Sequence, residues 1–445
     1  MKIAFTTLGC KLNYAETSTY ERALRVAGWE VVPWTAKADV YLVNTCAVTE
    51  TAEKKSRNLI RRAHRAAPEA RIAVTGCYAQ LRKAELEALP GVWKVFGANE
   101  KSTIVESISS EVEGGVVSEI SGHPRPDKRE GPIYGRGREA TISETIPSAT
   151  EEKKVFGAYS SGERTRSFLK VQDGCDNFCA YCTVPYARGR SRSIPVCEAV
   201  KMAREIAAQG IKEVVLTGVN TGDFGRGSGA SFLDLLKALN AVEGIERYRI
   251  SSIEPNLITP EIVDWIASGT KFQPHFHIPL QSGSDTLLRR VGRRYDTALF
   301  ASRIDYIRKA LEGPGKPKVF FGIEVIVGLP GETEELFRET YAFLSGRIRP
   351  AFLHVFPYSR RPGTPAAAWP DQVPEKVKAE RVAQLEALSE QLHGDFVQAN
   401  KGVREKVLWE SAQKDGRMGG YTGNYIRLER PFDPQRINMI EEIVL

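Results

Sequence analysis

Cysteine is scarce in this chain, seven residues among 445, and histidine and methionine are scarcer still at six and four. The start, Met1-Lys2-Ile3, leads straight into an apolar strand pattern and shows no signal-peptide pattern. So few thiols in such a context exclude a disulfide-stapled secreted scaffold and leave metal binding or catalysis as their use. No run of about 18 apolar residues occurs, which excludes a membrane-spanning helix. A cytoplasmic protein with no membrane partner is expected. Otherwise the composition is globular, 42% hydrophobic and 26% charged, and 445 residues predict about two to four domains. The net charge of +7 permits an anionic partner without identifying one.

Three of the scarce cysteines stand together. The stretch 168–182 reads as a short apolar strand running into a turn, with Cys175, Cys179 and Cys182 in a CxxxCxxC spacing. Three thiolates from one tight loop can hold three irons of a cubane cluster and leave the fourth open to bind a small molecule. Electron-carrying clusters usually take four cysteines, so three point to chemistry. The plainer readings are a zinc knuckle or three unrelated buried cysteines. Zinc wants a fourth Cys or His close by, whereas Tyr186, Arg188, Arg190 and Arg192 follow, and Cys197 lies farther off in a structural position.

Residues 1–106 read as strand–helix repeats, with strands at 2–8, 39–44 and 71–76 and helices at 16–27, 51–65 and 82–88; such alternation predicts a Rossmann-like parallel sheet. A cysteine follows each strand: Cys10, Cys46 and Cys77. The carboxyl ends of parallel strands share one edge, where ligands bind, so these thiols are expected to converge on a second three-ligand site. Singly, each could be a small buried filler. Residues 107–165 are rich in Ser, Gly, Glu and Pro and read as a linker, with possible short strands at 116–117 and 155–156.

Alternation resumes over 166–372. Strands at 167–171, 213–218, 247–253, 275–280, 319–327 and 351–356, with helices at 195–209, 232–241, 260–267, 296–311 and 333–344, predict a partial (β/α)6 barrel, open on one side and active at the strand carboxyl ends. The CxxxCxxC loop falls on that face. So do Thr217, Gly218, Asn220, Ser252, Glu254, Gln281, Ser282 and Gly328, whose plain alternative is a set of turns and helix caps. His275 and His277 share one strand face but sit among Pro274, Phe276 and Pro279, as packed histidines do. The glycine run at 225–229 lacks the lysine and helix of a phosphate loop. Residues 373–445 predict an amphipathic helix at 374–398 and a small antiparallel β domain. Its Tyr421, Tyr425 and Arg427 suit RNA, unless the domain merely closes the barrel.

The cysteine loop, with Tyr181 before its last cysteine, resembles the radical S-adenosylmethionine (SAM) superfamily; its continuation Pro185-Tyr186-Ala187-Arg188-Gly189 resembles the methylthiotransferases. The resemblance spans nearly the whole chain: cluster domain, barrel, and a C-terminal TRAM domain. Leu8-Gly9-Cys10-Lys11-Leu12-Asn13, Gln172-Asp173-Gly174-Cys175 and Gly420-Tyr421-Thr422-Gly423-Asn424-Tyr425 look like the branch acting on N6-threonylcarbamoyladenosine in tRNA. It implies two [4Fe-4S] clusters, on Cys175, Cys179 and Cys182 and on Cys10, Cys46 and Cys77. Tyr181 would lie beside the adenine of SAM, and the strand-end residues above would contact SAM. Arg188, Arg190 and Arg192 would face tRNA phosphates. It also implies an electron donor and a sulfur source as partners, and a methylthio group delivered to C2 of adenosine-37. Glu324 departs from an Asp that many relatives carry, and the linker is longer than usual. Alternative targets are N6-isopentenyladenosine in tRNA or a ribosomal protein; an RNA-binding iron–sulfur electron carrier is the alternative of another class.

Overall fold

The computed structural model describes residues 1–113, 155–162, 165–227, 229–412 and 415–445; the strand expected at 116–117 lies outside them. In the N-terminal region β1 (Lys2–Thr7), β2 (Glu30–Val32), β3 (Val40–Thr45), β4 (Arg71–Gly76) and β5 (Val92–Val95) form one parallel sheet in the order β2-β1-β3-β4-β5. β3 is buried along its whole length, as the apolar run Val40-Tyr41-Leu42-Val43 requires of a strand covered on both faces. The order reverses between β1 and β3, so a crevice opens beyond their carboxyl ends. Cys10 and Cys46 flank it, and Cys77 follows the next strand. Two short strands, β2 and β5, had no legible alternation.

The first helix runs Lys11–Val26 and so begins directly after Cys10, five residues before the expected start. The second, Glu50–Ala66, is capped by the Thr49 side chain, which accepts from Ala52 N. The helix expected at 82–88 is instead two short pieces, Cys77–Leu81 and Lys83–Glu87, the first of them starting on the cysteine. Helix Ile104–Glu113 extends into the expected linker and buries Ile104 and Ile108 beside Ile3, Leu24 and Phe96. The short strand expected at 155–156 is β6 at Ala158–Tyr159. Phe156, before it, stacks on Tyr20 at 5.2 Å.

All six expected barrel strands form: β7 (Arg166–Lys170), β10 (Glu213–Thr217), β11 (Arg247–Ile250), β12 (His275–Gln281), β13 (Phe320–Val327) and β14 (Phe352–Pro357). They are parallel in two half-sheets, β7-β10-β11 and β12-β13-β14, joined where Ile253 N donates to His277 O at 3.1 Å. β6 pairs antiparallel with the outer side of β7, while β14 is the opposite edge. Within this barrel β8 (Gln172–Asp173) and β9 (Arg192–Ser193) pair antiparallel and clasp the cysteine loop between them. Leu169, Leu216, Ile250, Ile278 and Ile323 are buried in one apolar core with the surrounding helices.

Helix Glu375–Ala399 buries Leu385, Leu388 and Leu392 in that core. It leads to a four-stranded antiparallel sheet, order β17-β16-β15-β18, of β15 (Arg404–Ala412), β16 (Arg417–Thr422), β17 (Arg427–Pro431) and β18 (Ile440–Val444). Among the described residues no helix is long and apolar enough to cross a membrane.

This sheet is fastened under the barrel by Arg249, which donates to Gly423 O at 2.7 Å and Thr422 O at 2.8 Å while gripping Glu213 at 2.8 and 3.2 Å. Both partners are buried. Removing the cation leaves the buried carboxylate only the longer contacts to Arg247 at 3.5 Å and Arg166 at 3.9 Å, so Arg249→Ala is expected to lower unfolding free energy by roughly 3–5 kcal/mol. An Arg249→Lys variant, which keeps a charge beside Glu213, should lose less. Denaturant unfolding of the three proteins checks this.

Candidate active site

The first three cysteines are brought together by glycines that tolerate what no other residue would. Gly9 lies at φ +102°, and a Cβ there would come within 2.9 Å of Cys46 Cβ. Gly76 lies at φ +101°, and a Cβ would meet Thr45 O at 2.2 Å. Asn13 then ties the loops together: its Nδ2 donates to Leu8 O at 2.8 Å and Thr45 O at 3.0 Å, while its main-chain oxygen accepts from Asn44 Nδ2 at 3.0 Å. Cys46 and Cys77 are buried and Cys10 is exposed. Burial, with Cys77 alongside, pushes the Cys46 thiol up to about 12; burial also raises Cys77, against the pull of the Arg188 guanidinium.

The second trio sits in a strained loop. Phe178, between Cys175 and Cys179, has φ +47°. Cys175 Sγ accepts from Asn177 N at 3.5 Å and Cys182 Sγ from Val184 N at 3.4 Å, the kind of main-chain donor that orients a thiolate ligand. Burial pushes the Cys175 thiol up to about 12 and raises Cys182 further. Arg293 donates to Cys179 Sγ at 3.2 Å.

The second trio and Cys10 of the first open on one cavity of about 420 Å³, while Cys46 and Cys77 are buried behind Cys10. Cys10 lines one wall and Cys175, Cys179 and Cys182 another. Of the strand-end residues singled out from sequence, Asn220, Ser252, Glu254 and Gln281 also line it, as does Tyr181. Thr217, Gly218, Ser282 and Gly328 do not. Thr217 turns its hydroxyl to Val215 O at 3.1 Å and Ser282 pairs with Thr340 at 3.2 Å. Gly218 is packed against Gln172, and Gly328 against Lys378.

Sequence reasoning missed Arg293 and Asn177. Arg293 NH2 lies 2.5 Å from Glu254 Oε1, and Asn177 Nδ2 donates to the same oxygen at 2.8 Å. The basic run Arg289-Arg290-Val291-Gly292-Arg293-Arg294 was a usable signal. Glu324 also lines the cavity, with His277 Nε2 2.7 Å from its Oε1. Burial pushes its carboxyl up, but His277 outweighs that and holds it below the usual range.

Arg188 requires a correction. It is buried, not on a basic face toward phosphate: it reaches Asn13 Oδ1 at 2.5 Å, Asp173 Oδ1 at 2.9 Å and Glu16 Oε1 at 3.4 Å. Lys170 joins Glu16 at 2.6 Å and Asp173 at 2.7 Å, and Lys101 joins Glu16 at 2.8 Å. Arg190 is exposed over the Phe178 ring, and Arg192 donates to the main-chain oxygens of Arg188 and Arg190. Tyr421 and Tyr425 stack on each other at 4.7 Å, with Arg166 over both rings, as the floor of the barrel; Arg427 is exposed at its rim.

The parallel half-barrel and its cysteine loop define a radical SAM enzyme, and the comparisons agree. Residues 169–344 match the Radical SAM superfamily, and residues 2–97 match the Uncharacterized protein family UPF0004. The fold is similar to that of the radical S-adenosylmethionine methyltransferase TsrM from Kitasatospora setae (TM-score 0.55, 17% identity, 82% of this chain and 74% of that one). Over 432 residues the chain is 41% identical to the threonylcarbamoyladenosine tRNA methylthiotransferase MtaB of Bacillus subtilis (strain 168), covering 96% of this chain and 89% of the relative. It is 34% identical over 421 residues to the tRNA-2-methylthio-N(6)-dimethylallyladenosine synthase of Nitratidesulfovibrio vulgaris (strain DP4), covering 93% and 87%. The chain belongs to the radical SAM tRNA methylthiotransferase family.

Two outcomes test this geometry. In the metal-free protein a thiol alkylating reagent at neutral pH should label the exposed Cys10 and Cys197 well before Cys46, Cys77 and Cys179, as peptide mass mapping would read. The second concerns pH. Burial pushes the Glu16 carboxyl up, but Lys101, Lys170 and Arg188 outweigh that and hold it at about 2 against its usual 4.5. Its stabilising contribution is therefore complete above about pH 4.5 and is lost as pH falls toward 2. Glu16→Gln should destabilise the protein by roughly 3–5 kcal/mol at neutral pH and flatten the stability curve across that acid window, as unfolding at fixed pH steps would show.

Proposed function

We propose that this chain methylthiolates C2 of N6-threonylcarbamoyladenosine at adenosine-37 of tRNA, replacing the C2 hydrogen, with two [4Fe-4S] clusters and two molecules of SAM. The observation that carries the reading is the single cavity of about 420 Å³ reached by thiols from both domains. The substrate follows from the relative with 41% identity over nearly the whole chain.

The residues fit the groups. Cys175, Cys179 and Cys182 are soft thiol donors on one loop, two of them already accepting main-chain N–H bonds. They would hold one cluster and leave an iron free for SAM. Cys10, Cys46 and Cys77, at neighbouring strand ends, would hold the other. When bound, these groups supply the electron that cleaves SAM and the sulfur that is transferred.

The chain itself binds, orients and shields. Arg293 and Asn177 fix the Glu254 carboxylate toward the cavity, where it suits the amino group of SAM. Tyr181 lies beside it, within reach of Arg293 at 3.5 Å. Val48, Ile326, Phe356 and Tyr358 line the cavity with apolar surface that keeps water from a reactive centre. The exposed Arg190 and Arg427 are placed for tRNA phosphates. The target base must leave its stack to enter. An electron donor and a sulfur source would complete the reaction as partners, and the reading carries with it a cytoplasmic protein.

After anaerobic reconstitution, Cys179→Ala should abolish SAM cleavage. Cys46→Ala should retain cleavage to 5′-deoxyadenosine but form no methylthio nucleoside. Each variant should keep about half the iron, in line with one cluster per trio. Mass spectrometry of nucleosides from tRNA of a deletion strain should lack the methylthio threonylcarbamoyl species. Its persistence would reject the substrate.

A further inference from the structure

We propose that Lys11 reads the carboxylate of the threonylcarbamoyl group, and so sets this enzyme apart from relatives whose N6 substituent is an uncharged hydrocarbon. The inference rests on the substrate proposed above.

A second cavity, of about 750 Å³, fills the barrel lumen below the first. That is room for a nucleoside with its substituent. Cys10 lines both cavities. Phe352, His354 and Phe356 share one face of the edge strand β14, and they run from the lumen (Phe352, His354) to the upper cavity (Phe356). The two spaces thus adjoin at the open side of the barrel.

The lumen is cationic. Lys11, Arg166, Arg249 and Arg427 line it together with four histidines, and no Asp or Glu does so among the described residues. The three arginines are already engaged: Arg166 with Glu410 at 2.8 Å, Arg249 with Glu213, and Arg427 with Glu429 at 2.9 Å. Lys11 has no hydrogen bond or ion pair among the described residues. The carboxylate whose charge acts on it, Glu324, lies 2.7 Å from His277 Nε2. An ammonium left without a partner in a pocket of cations is a site for an anion, and Tyr14, Phe352 and Tyr421 give that anion's carrier aromatic walls.

Covalent structure narrows the anion. C2 and C6 of adenine flank N1 of one ring, so a substituent on N6 starts close to the carbon that receives sulfur. A group that reads the substituent must therefore sit next to the group that delivers the sulfur. Lys11 follows Cys10 directly in the chain. The threonylcarbamoyl group ends in a carboxylate; a dimethylallyl group offers none.

The test compares wild type, Lys11→Met and Lys11→Arg. Each is titrated calorimetrically with N6-threonylcarbamoyladenosine and with its methyl ester. Each is then assayed, after reconstitution and iron analysis, on an anticodon stem-loop. Wild type should favour the free acid over the ester about tenfold or more, the usual scale of a charge-assisted hydrogen bond. Lys11→Met should lose that preference and raise KM about tenfold with iron content unchanged, while Lys11→Arg keeps most of it. A Lys11→Met protein that still separates acid from ester as wild type does overturns the inference. So does one that loses iron in step with affinity, since Lys11 would then serve the cluster. A wild-type protein that modifies dimethylallyladenosine RNA and not the threonylcarbamoyl form overturns the substrate itself, a result separate from either.

Discussion

The arrangement depends on one buried carboxylate. Glu16, on the first helix of the N-terminal region, meets Lys101 from its own domain and Lys170 and Arg188 from the barrel. Burying such charges is costly, and an apolar cluster of the same volume would hold the domains together at least as well. What the charges add is register. An apolar face can slide and still be buried, whereas a buried carboxylate displaced by an ångström or two leaves its partners unsatisfied. Because Lys170 ends β7 and Asp173 and Arg188 bracket the cysteine loop, the same network fixes that loop against the helix that begins directly after Cys10. The distance between the two thiol sets is thus set by electrostatics at their backs, together with Ala187 packed beside Cys77 and Tyr78.

That division explains why the site can be strained. Phe178 in a left-handed conformation, Gln281 likewise at φ +70° at the end of β12, and several thiols held protonated by burial are local costs. They persist because β8 and β9 clasp the loop and Arg293 spans from Cys179 to Glu254. Metal binding must expel the thiol protons, which at Cys46, Cys77, Cys175 and Cys182 leave only as iron binds.

The six barrel strands, the strand-end cysteines and the C-terminal sheet were legible in the sequence because each rests on periodicity or spacing, which are local. Arg188 was misread for the opposite reason. In the chain it belongs to a basic run with Arg190 and Arg192, which is how a solvated face looks. Its burial depends on Asn13 and Glu16, about 170 residues away. That Thr217, Gly218, Ser282 and Gly328 fall outside the cavity lining was not legible, because a strand end shows only that a residue is near the active face. Whether its side chain turns inward depends on the neighbour it meets, Val215 O or Thr340 for two of them. Lys11 was read only as part of a motif, since its lack of a partner is a property of the folded cavity.

The open side of the barrel follows from the same physics. A seventh and eighth stave would pair with β14 and close the lumen. Here β14 has no second partner strand among the described residues, and its exposed Phe352 and Phe356 are 39% and 47% accessible where a packed barrel would bury them. Exposed aromatics along an edge strand are an aggregation hazard unless a ligand uses them. A flipped nucleobase is such a ligand: flat, able to stack, and tethered to a backbone too bulky to enter a closed barrel. SAM, small and zwitterionic, suits the strand ends from above, while a base entering at β14 would arrive from the side with its substituent pointing down the lumen. Two ligands of such different size can meet at one carbon only if the barrel admits them through different openings, and the missing staves provide the second.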